Sequence, residues 1–285
     1  MACIYKLRYF ILLFIIVLAI IYWLKTYAQI HFFFAPDNIE YDSPKRKKLK
    51  YEDIYFKSTD GTKLHAWFIP AKNQNAINAK ASVIQFHGNS QNLSSNWQLV
   101  EWLPEHGYNV FVFDYRGYGK SQGKITTLKG FYEDGVSALN YLHSRQDIDV
   151  NKIFVLGQSI GVSSALNAIN QNKSHINIKG VILEGGFYSY SKIAEDYYKF
   201  SGLFVDDSYS PANFIDKISP IPLMIMHGVN DEVINYRHGE MLYEKAKQPK
   251  TFIPVRGGHI KAFFLETGKE YQKIMLDFLE KNLKN

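Results

Sequence analysis

The stretch Val155-Leu156-Gly157-Gln158-Ser159-Ile160-Gly161 joins a short apolar run to a helical pattern through a Gly-x-Ser-x-Gly turn. In a strand-to-helix elbow the serine sits on a strained turn, and only glycine fits two residues before and two after it without a clash between strand and helix. The hydroxyl of Ser159 then stands free above the sheet, which marks it as a candidate nucleophile. The following helix points its first backbone NH groups at the space over Ser159, where a negative oxygen develops during acyl transfer. The motif alone is weak, and its context carries it. Residues 152–156 (Lys-Ile-Phe-Val-Leu) are β-branched and aromatic, as a buried parallel strand requires, while Val162 to Ile169 is small and apolar at helical spacing.

Outward from this turn, the chain from Tyr51 alternates strand and helix patterns. Ile54–Lys57 and Leu64–Ile69 flank Asp60-Gly61 and read as a hairpin. Buried-strand runs follow at Ser82–Phe86, Asn109–Phe113, Lys152–Leu156, Gly180–Leu183, Pro222–Met226 and Thr251–Val255. Helical patterns separate them at Leu93–Glu105, Leu128–His143, Ile160–Asn170, Tyr236–Lys247 and Ile260–Leu283. This alternation predicts an α/β domain over 51–285, with a mostly parallel sheet wound by right-handed crossovers and helices on both faces. One interval breaks the rhythm. More than thirty residues separate Glu184 from Pro222, rich in Phe187, Tyr188, Tyr197, Tyr198 and Phe204. They would lie at the C-terminal edge of the sheet, where ligands bind, and about 187–218 is expected as a short lid and acyl pocket. The competing reading makes these aromatics the core of a small extra helix pair.

A serine nucleophile needs a base, an acid to orient the base, and donors for the oxyanion. His259, in Arg256-Gly257-Gly258-His259, follows the last strand, so it would hang over the same sheet edge as Ser159. Asp231 follows the preceding strand in the same way and is preferred as the acid over Glu232 and Asp207. The order serine, acid, histidine is that of α/β hydrolases. His87-Gly88-Asn89-Ser90 ends the first parallel strand. There the NH of Asn89, or by register that of Ser90, would join the NH of Ile160 as an oxyanion hole, with His87 fixing the loop through its ring.

Composition narrows the partners. The 285 residues are 46% hydrophobic, enough for one large domain. The net charge of +6 is concentrated in residues 1–50, where eight Lys or Arg face three Asp or Glu, so the remainder is nearly neutral and no nucleic-acid partner is expected. The single cysteine, Cys3, excludes an intramolecular disulfide framework, and no Cys or His spacing suggests a metal site.

Tyr9 to Leu24 is a run of sixteen uncharged residues, flanked by Tyr22, Trp23 and Tyr27 as an interfacial belt and by Lys6, Arg8 and Lys25. It is expected to anchor residues 1–28 in a membrane as a single transmembrane helix, with 29–50 a basic linker. A cleaved signal peptide competes, since Thr26-Tyr27-Ala28 ends in small residues; sixteen apolar residues exceed the usual signal core. Lys6, Arg8 and the amino terminus favour an external catalytic domain, whereas Lys45-Arg46-Lys47-Lys48 argues for the other side, or for contact with anionic lipid.

His87-Gly88-Asn89, Asp114-Tyr115-Arg116-Gly117-Tyr118-Gly119-Lys120-Ser121, the Ser159 elbow, His227-Gly228 with Asp231, and Gly258-His259 together resemble the α/β-hydrolase superfamily. The similarity is to its small membrane-tethered serine hydrolases, near the serine aminopeptidase and monoacylglycerol lipase-like group, over about residues 50–283. The resemblance implies an esterase, lipase or thioesterase activity without a cofactor, acting on a small-molecule or lipid ester. Two departures stand out: the lid is short for the lipase relatives, and Glu184-Gly185-Gly186 replaces a bulkier turn. The rivals are a serine peptidase of the same fold, which would need a site for a charged peptide terminus, and a non-catalytic membrane-anchored binding module.

Overall fold

The computed structural model describes residues 2–264 and 268–284; within the first helix the side chains at 2–5, 7, 18, 21 and 22 lie outside the described residues, Tyr22 of the expected belt among them. The first half of the chain runs α1 (Ala2–Phe33), β1 (Ala35–Pro36), β2 (Glu52–Lys57), β3 (Lys63–Ile69), β4 (Ala81–Phe86), β5 (Ser90–Gln91), α2 (Leu93–Asn96), β6 (Tyr108–Phe113) and α3 (Leu128–Ser144). The second half runs β7 (Ile153–Gln158), α4 (Gly161–Asn172), β8 (Ile178–Glu184), α5 (Tyr190–Tyr197), β9 (Leu223–Gly228), α6 (Arg237–Lys245), β10 (Lys250–Val255) and α7 (Gly268–Leu283).

Eight strands form one sheet in the order β10-β9-β8-β7-β4-β6-β3-β2. It is parallel from β10 to β6, and the antiparallel β3 and β2 close one edge. The expected hairpin turns at Gly61, whose φ of +87° a side chain would strain. Strand β7 shows why the buried strands read as unbroken apolar runs. Ile153 and Val155 join the core that contains Leu139 of α3 and Leu166 of α4, while Phe154 and Leu156 join Met275 and Leu279 of α7 on the opposite face. Both faces are covered, so the period of two carries no polar residue.

The pattern Leu93–Glu105 does not form one helix. Only α2 is α-helical, capped by the Asn92 side chain on the NH of Ser94, and single 3₁₀ turns follow at Trp97–Leu99 and Leu103–His106. Pro104 has no NH, and its ring would clash with the carbonyl four residues back, so a continuous helix cannot pass it. The final helix begins at Gly268 rather than Ile260, and residues 265–267 lie outside the described residues.

Residues 29–50, expected as a basic linker, lie along the domain. Gln29, Ile30, Phe33 and Phe34 at the end of α1 are buried. Phe33 meets Tyr190 edge-on at 4.7 Å between ring centroids, and Phe34 meets Phe131 at 4.7 Å. Strand β1 then pairs in parallel with β5. In the basic run, Arg46 bonds Asp42 at 2.7 Å and Lys47 pairs with Glu101 at 2.9 Å. Among the described residues no helix is long and apolar enough to cross a membrane.

Candidate active site

Ser159 sits between β7 and α4 with φ +53°, a left-handed conformation that costs a non-glycine residue energy and turns its side chain out of the sheet. Its NH donates to the Glu184 carbonyl at 2.9 Å, which ties the elbow to the neighbouring strand. Both motif glycines are required by close approach. A Cβ at Gly161 would fall on the carbonyl oxygens of Phe86 and His87, and one at Gly157 would lie 3.0 Å from Val162 Cα.

The structure brings Ser159, His259 and Asp231 together from three loops at one sheet edge. His259 Nε2 lies 3.0 Å from Ser159 Oγ, and His259 Nδ1 lies 2.8 Å from Asp231 Oδ2. The other oxygen of Asp231 accepts from the NH groups of Val233 at 2.9 Å and Ile234 at 2.8 Å. Burial opposes the charge of Asp231, but the His259 contact and these two NH groups outweigh it and hold its pKa below the ordinary carboxylate value. The alternatives lie elsewhere: Asp207 bonds Ser191 and Ser210 inside the lid, and the Glu232 carboxylate faces Gly258. His227 Nε2 donates to the Ile234 carbonyl at 2.8 Å, bracing the loop that carries Asp231; burial lowers its pKa.

Asn89 and Ile160 line one cavity of 250 Å³ with Ser159; Ser90 does not. His87, buried, places a ring nitrogen 2.8 Å from the Gly88 carbonyl and 3.5 Å from Asp114 by its other nitrogen, so it fixes the loop as its position suggested. The Asn89 carbonyl accepts from Tyr118 Oη at 2.7 Å.

The expected lid residues separate. Phe187 and Tyr197 line the cavity of Ser159. Tyr198 and Phe204 line a second cavity adjoining it, and Tyr188 donates its NH to His238 Nδ1 at 2.9 Å. The aromatics of this interval divide by burial: Phe187 and Tyr190 are buried, whereas Tyr197, Tyr198 and Phe204 are exposed.

Sequence reasoning missed the roles of three contributors, two of them in the Glu184-Gly185-Gly186 turn that it set apart. Phe32 and Phe33, at the end of α1, line the Ser159 cavity together with Ile193, Val233 and Ile234. They follow a run read as an anchor, and no local pattern marked them as site residues. The second is Glu184, buried, whose oxygens accept from the NH of Ala262 at 2.9 Å and from Gln158 Nε2 at 2.7 Å. A carboxylate closing an apolar strand was the available signal. Burial raises its pKa. The third is Gly185, at φ +60°, where a Cβ would lie 3.3 Å from the His259 ring, while one at Gly186 would lie 2.8 Å from Val162. The small turn after β8 is what lets His259 approach.

A family model described as serine aminopeptidase, S33, matches residues 77–209. The chain is 41% identical to the uncharacterized protein YfhR of Escherichia coli over 94% of this chain and 93% of that one. It is 33% identical to the α/β-hydrolase domain-containing protein WAV2 of Arabidopsis thaliana over 84% of this chain and 82% of that one. Among solved structures, the Pyrococcus furiosus esterase Pf2001 superposes with a TM-score of 0.71 at 20% identity, covering 87% of this chain and 98% of that one, a likeness of fold. With its elbow serine at the centre of an eight-stranded, mostly parallel sheet and relatives of this kind along nearly its whole length, the chain belongs to the α/β-hydrolase superfamily.

Proposed function

We propose that the protein is a membrane-anchored serine hydrolase that cleaves carboxylic esters or thioesters of apolar acyl groups through an acyl-enzyme. The observation that carries this reading is the Ser159 hydroxyl, 3.0 Å from a histidine that is itself 2.8 Å from a buried aspartate, opening into a cavity lined by apolar side chains. As Ser159 Oγ attacks the acyl carbon, His259 Nε2 takes its proton. Asp231 holds the imidazole by Nδ1 and stabilises the cation that forms. The backbone NH groups of Asn89 and Ile160 face the carbonyl oxygen as it becomes negative. Collapse of the tetrahedral intermediate returns the proton to the leaving alcohol or thiol. Water then releases the acyl group by the same steps in reverse. Since none of the residues lining the cavity is charged, a peptide's ammonium terminus finds no counter-ion there, which favours an ester over a peptide substrate.

The anchor reading rests on α1. Its sixteen-residue uncharged run belongs to one continuous helix, and large apolar side chains from Tyr9 to Val17 are exposed, uncovered by the domain. From Leu24 the helix needs only ~12 Å of further rise to reach Phe32, so the site would stand close to the lipid surface. Lys6 and Arg8, ahead of the run, favour the external side for the domain. The test is fluorophosphonate labelling of the full-length protein with ester hydrolysis measured in parallel. Labelling and turnover that both disappear in Ser159→Ala support the reading; labelling that persists in that variant defeats it.

A further inference from the structure

Two cavities share one wall. The cavity of Ser159 measures 250 Å³, and a second of 170 Å³ adjoins it, bounded by Ala28, Ala194, Tyr198, Ser201 and Phe204. Phe32 and Phe33 line both. On the lid side, consecutive residues of α5 divide in the same way, Ile193 facing the first cavity and Ala194 the second. The two phenylalanines differ in freedom. Phe33 is 6% exposed and locked edge-on against Tyr190, whereas Phe32 is 46% exposed and meets Tyr197 edge-on at 5.7 Å.

The second cavity has little to offer a polar ligand. Gln29 exchanges two hydrogen bonds with the Asp206 backbone, at 2.9 and 2.7 Å, and the Ser201 hydroxyl donates to the Tyr198 carbonyl at 2.7 Å. The rest of the lining is apolar or aromatic. An alkyl chain disturbs none of these bonds and gains by leaving water.

We infer that the second cavity is the distal part of the acyl site, and that Phe32, on the N-terminal helix, is the partition that sets how long an acyl chain is accepted. This rests on the ester-hydrolase reading above. Its occupant is the distal methylene segment of the substrate's acyl chain, because the two cavities meet at Phe32 and Phe33, and of these only Phe32 is exposed and free to turn aside. The helix that tethers the domain is then also part of its specificity.

The experiment uses full-length protein in detergent, with p-nitrophenyl esters from acetyl to palmitoyl and a short fluorophosphonate to count competent sites. Phe32→Ala should raise the decanoyl-to-butyryl ratio of kcat/KM by more than about fourfold, the effect of one methylene. Ser201→Leu fills the second cavity from the lid side and should lower that ratio by more than about fourfold. Phe32→Trp, a larger partition, should lower it as well. Smaller shifts, or shifts in the opposite direction, in variants that still label would overturn the partition. Wild-type protein that neither labels nor hydrolyses any ester would instead remove the hydrolase reading, and the partition with it.

Discussion

The backbone NH of Ala35 donates to the carbonyl of Asn89 at 2.9 Å. This bond joins the exit of the N-terminal helix to the loop that carries Asn89, the proposed oxyanion donor, and the β1–β5 pairing that follows extends it by two residues. The N-terminal segment is therefore fastened to the site from two directions, by this ladder and by Phe32 and Phe33 in the cavity wall.

Two truncations separate tethering from site support. Removal of residues 1–27 leaves the buried end of α1 and β1 in place and should preserve butyryl ester turnover. Removal of residues 1–36 also deletes the partner of Asn89 and should lower kcat by about tenfold or more, since a misplaced oxyanion donor weakens transition-state binding. Equal kcat in the two truncated proteins would show that the ladder does not position the loop.

Triad variants should act as a unit. Ser159→Ala or His259→Ala should reduce ester kcat by about 10⁴-fold or more. Asp231→Asn, which leaves the imidazole without its anionic partner, should cost about 10³–10⁴-fold. Activity within tenfold of wild type in any of the three would remove that residue from the assignment.

Glu184 ends a one-way chain of buried hydrogen bonds, in which Gln85 Nε2 donates to Gln158 Oε1 at 2.7 Å and Gln158 Nε2 to Glu184 at 2.7 Å. Glu184→Gln, the neutral counterpart of the protonated carboxyl, should change stability little below the pH at which Glu184 ionises. Burial raises the folded pKa of Glu184, so the folded state keeps this proton to higher pH than the unfolded chain. Its contribution to stability is fully present below the unfolded value and is lost as pH rises through the folded one. Wild type should therefore lose stability relative to Glu184→Gln as pH rises across this window, so that their urea midpoints shift apart. A constant difference would refute the linkage.

Asp231 works in the opposite sense. Its folded pKa is depressed, so its charge-linked stability is present above the unfolded carboxylate value and is lost as pH falls through the folded one. The urea midpoint of Asp231→Asn, read by circular dichroism at a series of pH values, should therefore fall less than that of wild type as pH drops through this range.

Gly185→Ala tests the approach of His259. The added Cβ strains a φ of +60° and lies 3.3 Å from the imidazole, at a cost of about 1–2 kcal/mol for the left-handed conformation alone. Thermal stability and kcat should both fall. A variant with wild-type kcat would show that the ring has room to move.

For the anchor, carbonate extraction should leave the full-length protein in the membrane pellet, with an intact mass that still includes the uncharged run Tyr9 to Leu24. A mature chain starting at Gln29 would identify a signal peptide instead.

The sequence by itself determined the layers and the order of the chemistry. Apolar runs without alternation mean strands covered on both faces, and glycines flanking a serine mean an elbow; both are local consequences of backbone sterics and can be read within a few residues. Ser159, Asp231 and His259 were legible because each follows a strand, and in a parallel sheet all such ends share one edge. Asn89 and Ile160 were legible for the same reason. The tertiary structure alone decided what those ends face. The Phe32 and Phe33 wall lies more than a hundred residues from the elbow, and the Glu184 bond to Ala262 joins the end of β8 to a distant loop with no shared pattern. The division of the lid aromatics between two cavities follows from which side of α1 each one meets. Such contacts depend on packing between distant segments, and packing follows shape in three dimensions, which leaves no periodicity in the chain to read.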